Sequence, residues 1–237
     1  MCGRVTLVAD QEKVENYFET PFEDWAGETY DQLFPLYNGA PTHYLPVLLQ
    51  EEKRTLDLLQ WGLVPFWAKD RKIGYTLINA RVETVAEKPS FRNAFKKRRC
   101  LIAVDGYYEW VVKDGKKVPF RIVPEDDNLS ALCGLSESWT DPKTGKELRT
   151  FTIVTMPAAD SIAHLHHRMP FAILPEDFNN WLQGELSEKD LQKLTDEAAV
   201  RFSKAYRVST EVNAVKNNHE GLLKPAEEEG RGPLFDQ

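Results

Sequence analysis

A cysteine in second place is the residue with the most chemistry to offer in this chain. It follows a methionine of the kind ordinarily removed when a small residue comes next, so processing would make Cys2 the N-terminus. Its α-amine and thiol then form a 1,2-aminothiol, with reference pKa values of about 7.7–8.0 and about 8.5. Each group is partly nucleophilic near neutrality without special tuning. Such a pair can hydrolyse acyl groups or close a five-membered thiazolidine on an aldehyde. The plain alternative is a cysteine without a role at a frayed end. A lipoprotein anchor is not expected, because no apolar segment precedes Cys2.

Other polar clusters stand in apolar surroundings. Asn79-Ala80-Arg81-Val82-Glu83 follows the apolar run Tyr75–Ile78, and Asp105-Gly106-Tyr107-Tyr108-Glu109-Trp110 sets Glu109 among aromatics. Partial desolvation there would raise a carboxylate's pKa and suit acid–base work; a strand-edge ion pair with an arginine is the competing reading. His164-Leu165-His166-His167-Arg168-Met169-Pro170 holds three of the five histidines. A general acid–base histidine beside an anion-binding Arg168 is more economical than a metal site, which would need carboxylates from elsewhere. Trp61, Trp67 and Pro65-Phe66 read either as core or as a platform on which nucleobases stack.

The elements that must position these groups are mostly strands. Alternating or continuous apolar runs predict strands at Leu45–Leu49, Thr55–Trp61, Leu101–Val104, Tyr107–Val112, Phe120–Val123, Leu129–Gly134 and Phe151–Met156, with Asp114-Gly115 as a hairpin turn. Asp10 caps a short helix to about Tyr17, and helices are expected at Pro175–Leu182 and Ser187–Asp196. Pro21 to Thr42 reads as irregular chain. Residues 224–237 are rich in Pro, Gly and Glu and read as a flexible acidic tail, leaving 1–223 as a single domain. The expected fold class is α+β, a mainly antiparallel, partly barrel-like β-sheet core with peripheral helices.

Composition narrows the setting. The 237 residues include no stretch approaching the roughly 18–20 apolar residues of a membrane span, and no signal-peptide core is seen. Three cysteines without metal spacing suit a reducing cytoplasm. The net charge of −7 argues weakly against nucleic acid, yet Phe91 to Arg121 holds nine Lys or Arg and three acids. Such a stretch is either a solvated face or a binding surface.

Taken in order, the clusters become specific. Met1-Cys2-Gly3-Arg4, Tyr37-Asn38-Gly39-Ala40-Pro41, Trp61-Gly62-Leu63-Val64-Pro65, Asn79-Ala80-Arg81-Val82-Glu83-Thr84, Asp105-Gly106-Tyr107-Tyr108-Glu109-Trp110, Ile153-Val154-Thr155 and His166-His167-Arg168-Met169-Pro170 closely resemble the SRAP, or SOS-response-associated peptidase, family. The likeness extends through Asn213-Ala214-Val215-Lys216-Asn217. It implies an SRAP fold and a sensor of abasic sites in single-stranded DNA, which crosslinks covalently to the lesion through Cys2 as a thiazolidine. By motif matching, Cys2 is the nucleophile and Asn79, Glu109 and His166 are its partners. Arg4, Asn38, Trp67, Arg81, Thr155 and Arg168 match positions expected to hold phosphates or bases. The expected setting is cytoplasmic, nucleoid-associated if the source is bacterial, and the expected state a monomer, without metal, cofactor or membrane. The peptidase activity that the family name implies would be limited to releasing the residue before Cys2.

Two positions depart from the family pattern. Gly39 stands where a larger apolar residue is usual, which is expected to loosen its loop. His167 replaces a common acid and should change the electrostatics around His166. The rival reading is a class II amidotransferase-like N-terminal nucleophile hydrolase, which also begins Met-Cys-Gly but continues with an apolar residue where this chain has Arg4.

Overall fold

The computed structural model describes residues 2–126, 128–199 and 201–226. Among them the first sheet begins with β1 (Val5–Leu7), which lies between β2 (Leu36–Gly39) and β7 (Gly106–Lys113); β8 (Lys116–Pro124) and β13 (Phe202–Arg207) complete the order β13-β8-β7-β1-β2. The β7–β8 hairpin turns at Asp114-Gly115, with φ of 51° and 72°. Left-handed backbone at both central positions matches the twist of the flanking strands, which is why the Asp-Gly pair marks the turn.

The second sheet closes on itself. Apolar runs form the hairpin of β3 (Tyr44–Gln50) and β4 (Arg54–Trp61); β3 also pairs β6 (Arg99–Val104), β6 pairs β9 (Ser130–Thr140), and β9 pairs β10 (Glu147–Pro157). β10 then meets β4 in parallel, completing a five-strand barrel that leaves no open edge among these strands. The expected α+β fold with a barrel-like, mainly antiparallel core is thus the observed one. Fully buried Leu45, Leu48, Leu56, Leu59, Leu101 and Ile153 belong to its core. At Gly134 the chains approach so closely that a Cβ would stand 2.3 Å from Ile102 Cδ1 and 2.8 Å from the Thr152 carbonyl oxygen.

β10 is also the strand that gathers the site. Its second half pairs in parallel with β5 (Asn79–Arg81), at Ile153 opposite Asn79 and Thr155 opposite Arg81, and antiparallel with β11 (Arg168–Pro170). Three separate motifs therefore arrive side by side through backbone pairing alone. β12 (Ala172–Ile173) caps the sheet against β9.

Helices, the short α3 (Arg92–Lys97) and α4 (Asp160–Ala163) among them, lie around this core. Asp10 caps α1 (Gln11–Phe18) by accepting from the Lys13 N–H, and Ser187 with Asp190 forms a capping box on α6 (Glu188–Ala198). The helix expected from Pro175 begins as a 3-10 turn and continues as α5 (Phe178–Gln183).

The reading of Pro21–Thr42 as irregular is corrected: it contains α2 (Asp24–Leu33) and β2. The buried stripe of α2 is only Ala26 and Tyr30, too narrow to register as helical periodicity. Gly39 does not loosen this region either. It pairs with Val5, and a Cβ there would come within 2.7 Å of Leu36 Cδ2 and 3.1 Å of Val5 Cγ2, so the glycine permits close packing. No helix among the described residues is long and apolar enough to cross a membrane. Of the expected tail, residues 227–237 lie outside the described residues, while Pro225 bridges Val208 and Ala226 donates its N–H to the Arg207 carbonyl.

Candidate active site

Cys2 is fully buried, just ahead of β1. The Asn79 side chain donates Nδ2–H to its carbonyl oxygen at 2.7 Å, tying the N-terminal segment to β5. The Tyr108 N–H donates to the Arg4 carbonyl at 2.9 Å, so the same segment also lies along β7. β7 alternates, as a strand must. Tyr108 and Trp110 pack into a small cluster with Val208, Val212 and Leu222, whereas Tyr107 belongs to the main core with Cys2. Glu109 shares the Tyr107 face and is 5% exposed. Burial pushes the Cys2 thiol well above its ordinary value, and the nearby Glu109 carboxylate pushes it further. The thiol is therefore held neutral beside a buried carboxylate.

A second cluster sits where β5, β10 and β11 meet. Arg168, 7% exposed, reaches both carboxylate oxygens of Glu83 and donates to the Thr155 carbonyl at 2.6 Å. Thr155 is fully buried, and its hydroxyl donates to the Ala80 carbonyl at 3.3 Å. The Arg168 N–H donates to His166 Nδ1 at 2.9 Å, which makes Nε2 the proton-bearing nitrogen of the neutral ring. His167 stacks on His166 with ring centroids 4.4 Å apart. Repulsion between the two rings when both carry a proton charge holds the exposed His167 below its ordinary pKa, aided by slight desolvation and by Arg168 and Arg81. Arg81 itself is exposed.

Around the N-terminal arm, Arg4 Nη1 donates to Asn38 Oδ1 and to the Val212 carbonyl, and its guanidinium lies 5.6 Å over the Trp110 ring. Asn38, 1% exposed, turns its amide inward, donating to the carbonyls of Asn217 at 2.8 Å and Ala214 at 3.1 Å. The structure thus brings Cys2, Asn79 and Glu109 together and sets the His166–Arg168 cluster against β5. It turns Asn38, Thr155 and Arg168 toward protein partners and leaves Trp67, 51% exposed, and Arg81 facing out.

Two ambiguous features resolve by position. Trp61 is core, stacked 6.2 Å from Phe151, while Phe66 and Trp67 are more than half exposed. The basic stretch is divided: Arg98 pairs with Glu137, Arg121 with Asp105, and Arg99 caps the carbonyls of Trp181, Phe95 and Gly184. Sequence reasoning gave no role to Glu83 or Trp110, though both stand in quoted motifs; only three-dimensional pairing with Arg168 and Arg4 shows what they do. Among the described residues no three His, Cys, Asp or Glu side chains group as metal ligands.

"Abasic site processing protein YoqW" of Bacillus subtilis is 39% identical over 227 residues, covering 94% of this chain and 99% of the relative. "Abasic site processing protein HMCES" of Gallus gallus is 33% identical over 228 residues, covering 81% of this chain and 67% of the relative. A crystal structure of a Bacteroides thetaiotaomicron protein shares the fold with a TM-score of 0.82 at 24% identity, covering 95% of this chain and all of that one. The family model for SOS response associated peptidase (SRAP) matches residues 1–215, and the chain belongs to that family.

Proposed function

We propose that this protein processes abasic sites in single-stranded DNA by forming a thiazolidine between Cys2 and the lesion's aldehyde once residue 1 has been removed. The observation that carries the reading is the arrangement at Cys2, with its carbonyl held by Asn79 and Glu109 beside its buried thiol. The printed names of the relatives, abasic site processing proteins, support the same substrate.

The order of steps follows from the electrostatics. A thiol that is buried next to a carboxylate does not ionise first, so the amine leads. His166 delivers a proton to the ring oxygen as the sugar hemiacetal opens and takes back the one that the C1′ hydroxyl gives up. Glu109 takes a proton from the α-ammonium and returns it to the aldehyde oxygen as nitrogen bonds to C1′. Loss of water leaves a protonated Schiff base. Its cationic nitrogen now lies two carbons from sulfur and reverses the field that kept the thiol neutral. Ring closure is intramolecular, where effective molarities reach about 10⁵–10⁸ M. Asn79 Oδ1, buried without a hydrogen-bond partner among the described residues, is placed to accept from the reacting centre. Arg81, Trp67 and Arg4 serve the surrounding phosphates and bases, with Asn38, Thr155 and Arg168 setting the surface from beneath.

The test mixes processed protein with a single-stranded oligonucleotide holding one abasic site, followed by a denaturing gel. A shifted band that Cys2→Ala loses supports the reading. No shift with wild-type protein, or ammonia released from glutamine instead, overturns it in favour of an N-terminal nucleophile hydrolase.

A further inference from the structure

Tyr107 poses a problem that the proposed reaction answers. Its ring is fully buried and fixed edge-on against Phe202, with centroids 5.1 Å apart at 87°. Its hydroxyl is buried and has no hydrogen-bond partner among the described residues. An unpaired buried hydroxyl costs about 1–3 kcal/mol, and phenylalanine would fill the same space without that cost. The hydroxyl is not in a random part of the core. Tyr107 opposes Val5 in the β1–β7 ladder, two residues before Glu109 on the same face, in the core cluster that contains Cys2. Burial, Cys2 and Glu109 together push the phenol well above its ordinary pKa, so it stays protonated and can act only through its O–H.

We propose that Tyr107 is a further catalytic residue, whose hydroxyl donates a hydrogen bond to the Cys2 sulfur during ring closure. The inference rests on the crosslinking reading above. In this step the thiol proton passes to the Glu109 carboxylate and sulfur bonds to C1′. The C=N electron pair moves onto nitrogen, which ends as the neutral ring amine. Negative charge develops on a sulfur whose burial penalises it. A donor held in place before the reaction stabilises that charge without reorganisation. The unpaired hydroxyl of the resting state is thus satisfied only while the thiolate exists.

The experiment compares processed wild type with Tyr107→Phe on a saturating abasic oligonucleotide. Reductive trapping with borohydride reports Schiff-base formation, and crosslink that accumulates without reductant reports ring closure. Trapping at the wild-type rate, ring closure slowed about 10- to 100-fold, and an unchanged or raised melting temperature support the proposal. A hydrogen bond to a charged group is worth that factor. Ring closure within about two-fold of wild type overturns it, as does an equal slowing of both steps with a lowered melting temperature, which marks a structural role. If wild type crosslinks and Tyr107→Phe matches it, only the role of Tyr107 falls. If wild type forms no crosslink, the underlying reading falls with it.

Discussion

Replacing Asn38 with alanine separates two roles that one residue could play at the proposed DNA-binding face. The carboxamide accepts from Arg4 and offers its N–H groups to Val212, Ala214 and Asn217, at 3.3, 3.1 and 2.8 Å. An amide carries only two N–H donors, so the two shorter contacts are the real bonds and the longest is a shared one. Two neutral bonds at about 1 kcal/mol each, plus one to a charged guanidinium at about 1.5–3 kcal/mol, total roughly 3.5–5 kcal/mol. Carbonyls left behind recover part of this from water, so the expected loss is about 3 kcal/mol. For a chain of this size that lowers the melting temperature by about 6–12 °C. Arg4 keeps the Val212 carbonyl but loses its orientation, so affinity for the abasic oligonucleotide should fall several-fold, while crosslinking at saturating DNA at low temperature persists. Calorimetry and a titrated crosslinking assay measure both quantities. An unchanged melting temperature with lost binding would mean that Asn38 touches DNA directly and that the inward strut is the wrong description.

Trp67→Ala should do the reverse. The side chain is 51% exposed, so stability should change by no more than about 0.5 kcal/mol. Loss of a stacking platform should weaken DNA binding about 5- to 100-fold, read by fluorescence anisotropy, and unchanged affinity would remove Trp67 from the interface. Partial burial pushes the Glu83 carboxyl up, but hydrogen bonds from Arg168 and the backbone and the charges of Arg168 and Arg81 outweigh it and hold the pKa low. A lowered folded-state pKa stabilises fully above the unfolded value of about 4.3 and is lost as pH falls through the folded one. Stability curves of wild type and Glu83→Gln should therefore differ at neutral pH and draw together as pH falls from the unfolded value of about 4.3 through the lower folded one; curves running parallel through that range would refute the clamp. Gly134→Ala should cost about 1–3 kcal/mol in denaturant unfolding, because Ile102 can shift but the Thr152 carbonyl cannot, and a neutral outcome would contradict the close approach.

Legibility in the sequence followed the range of the cause. The reactivity of Cys2 is local to one residue, and most strands of the barrel carry their apolar pattern within their own length. β5, β11 and β12 have two or three residues each, too few for alternation, and exist only because β9 and β10 supply partners. Asn38 shows a different limit. Motif matching identifies the residue but not the direction of its side chain, which depends on carbonyls more than 170 positions away. The basic stretch was legible only in part for the same reason, since charge density along the chain says nothing about Arg98, Arg99 and Arg121 finding Glu137, the helix-end carbonyls and Asp105 while the lysines stay exposed.

The bond from Asn79 to Cys2 falls on the main-chain carbonyl, a group every amino acid carries. The grip on position 2 is accordingly indifferent to the side chain placed there. Under the proposed reaction, a serine or alanine at that position would be seated as the cysteine is, next to the same lesion, yet unable to close the ring. Such a protein would be a decoy: it would occupy a damaged strand, shield it for the lifetime of a reversible complex, and depart without leaving a scar.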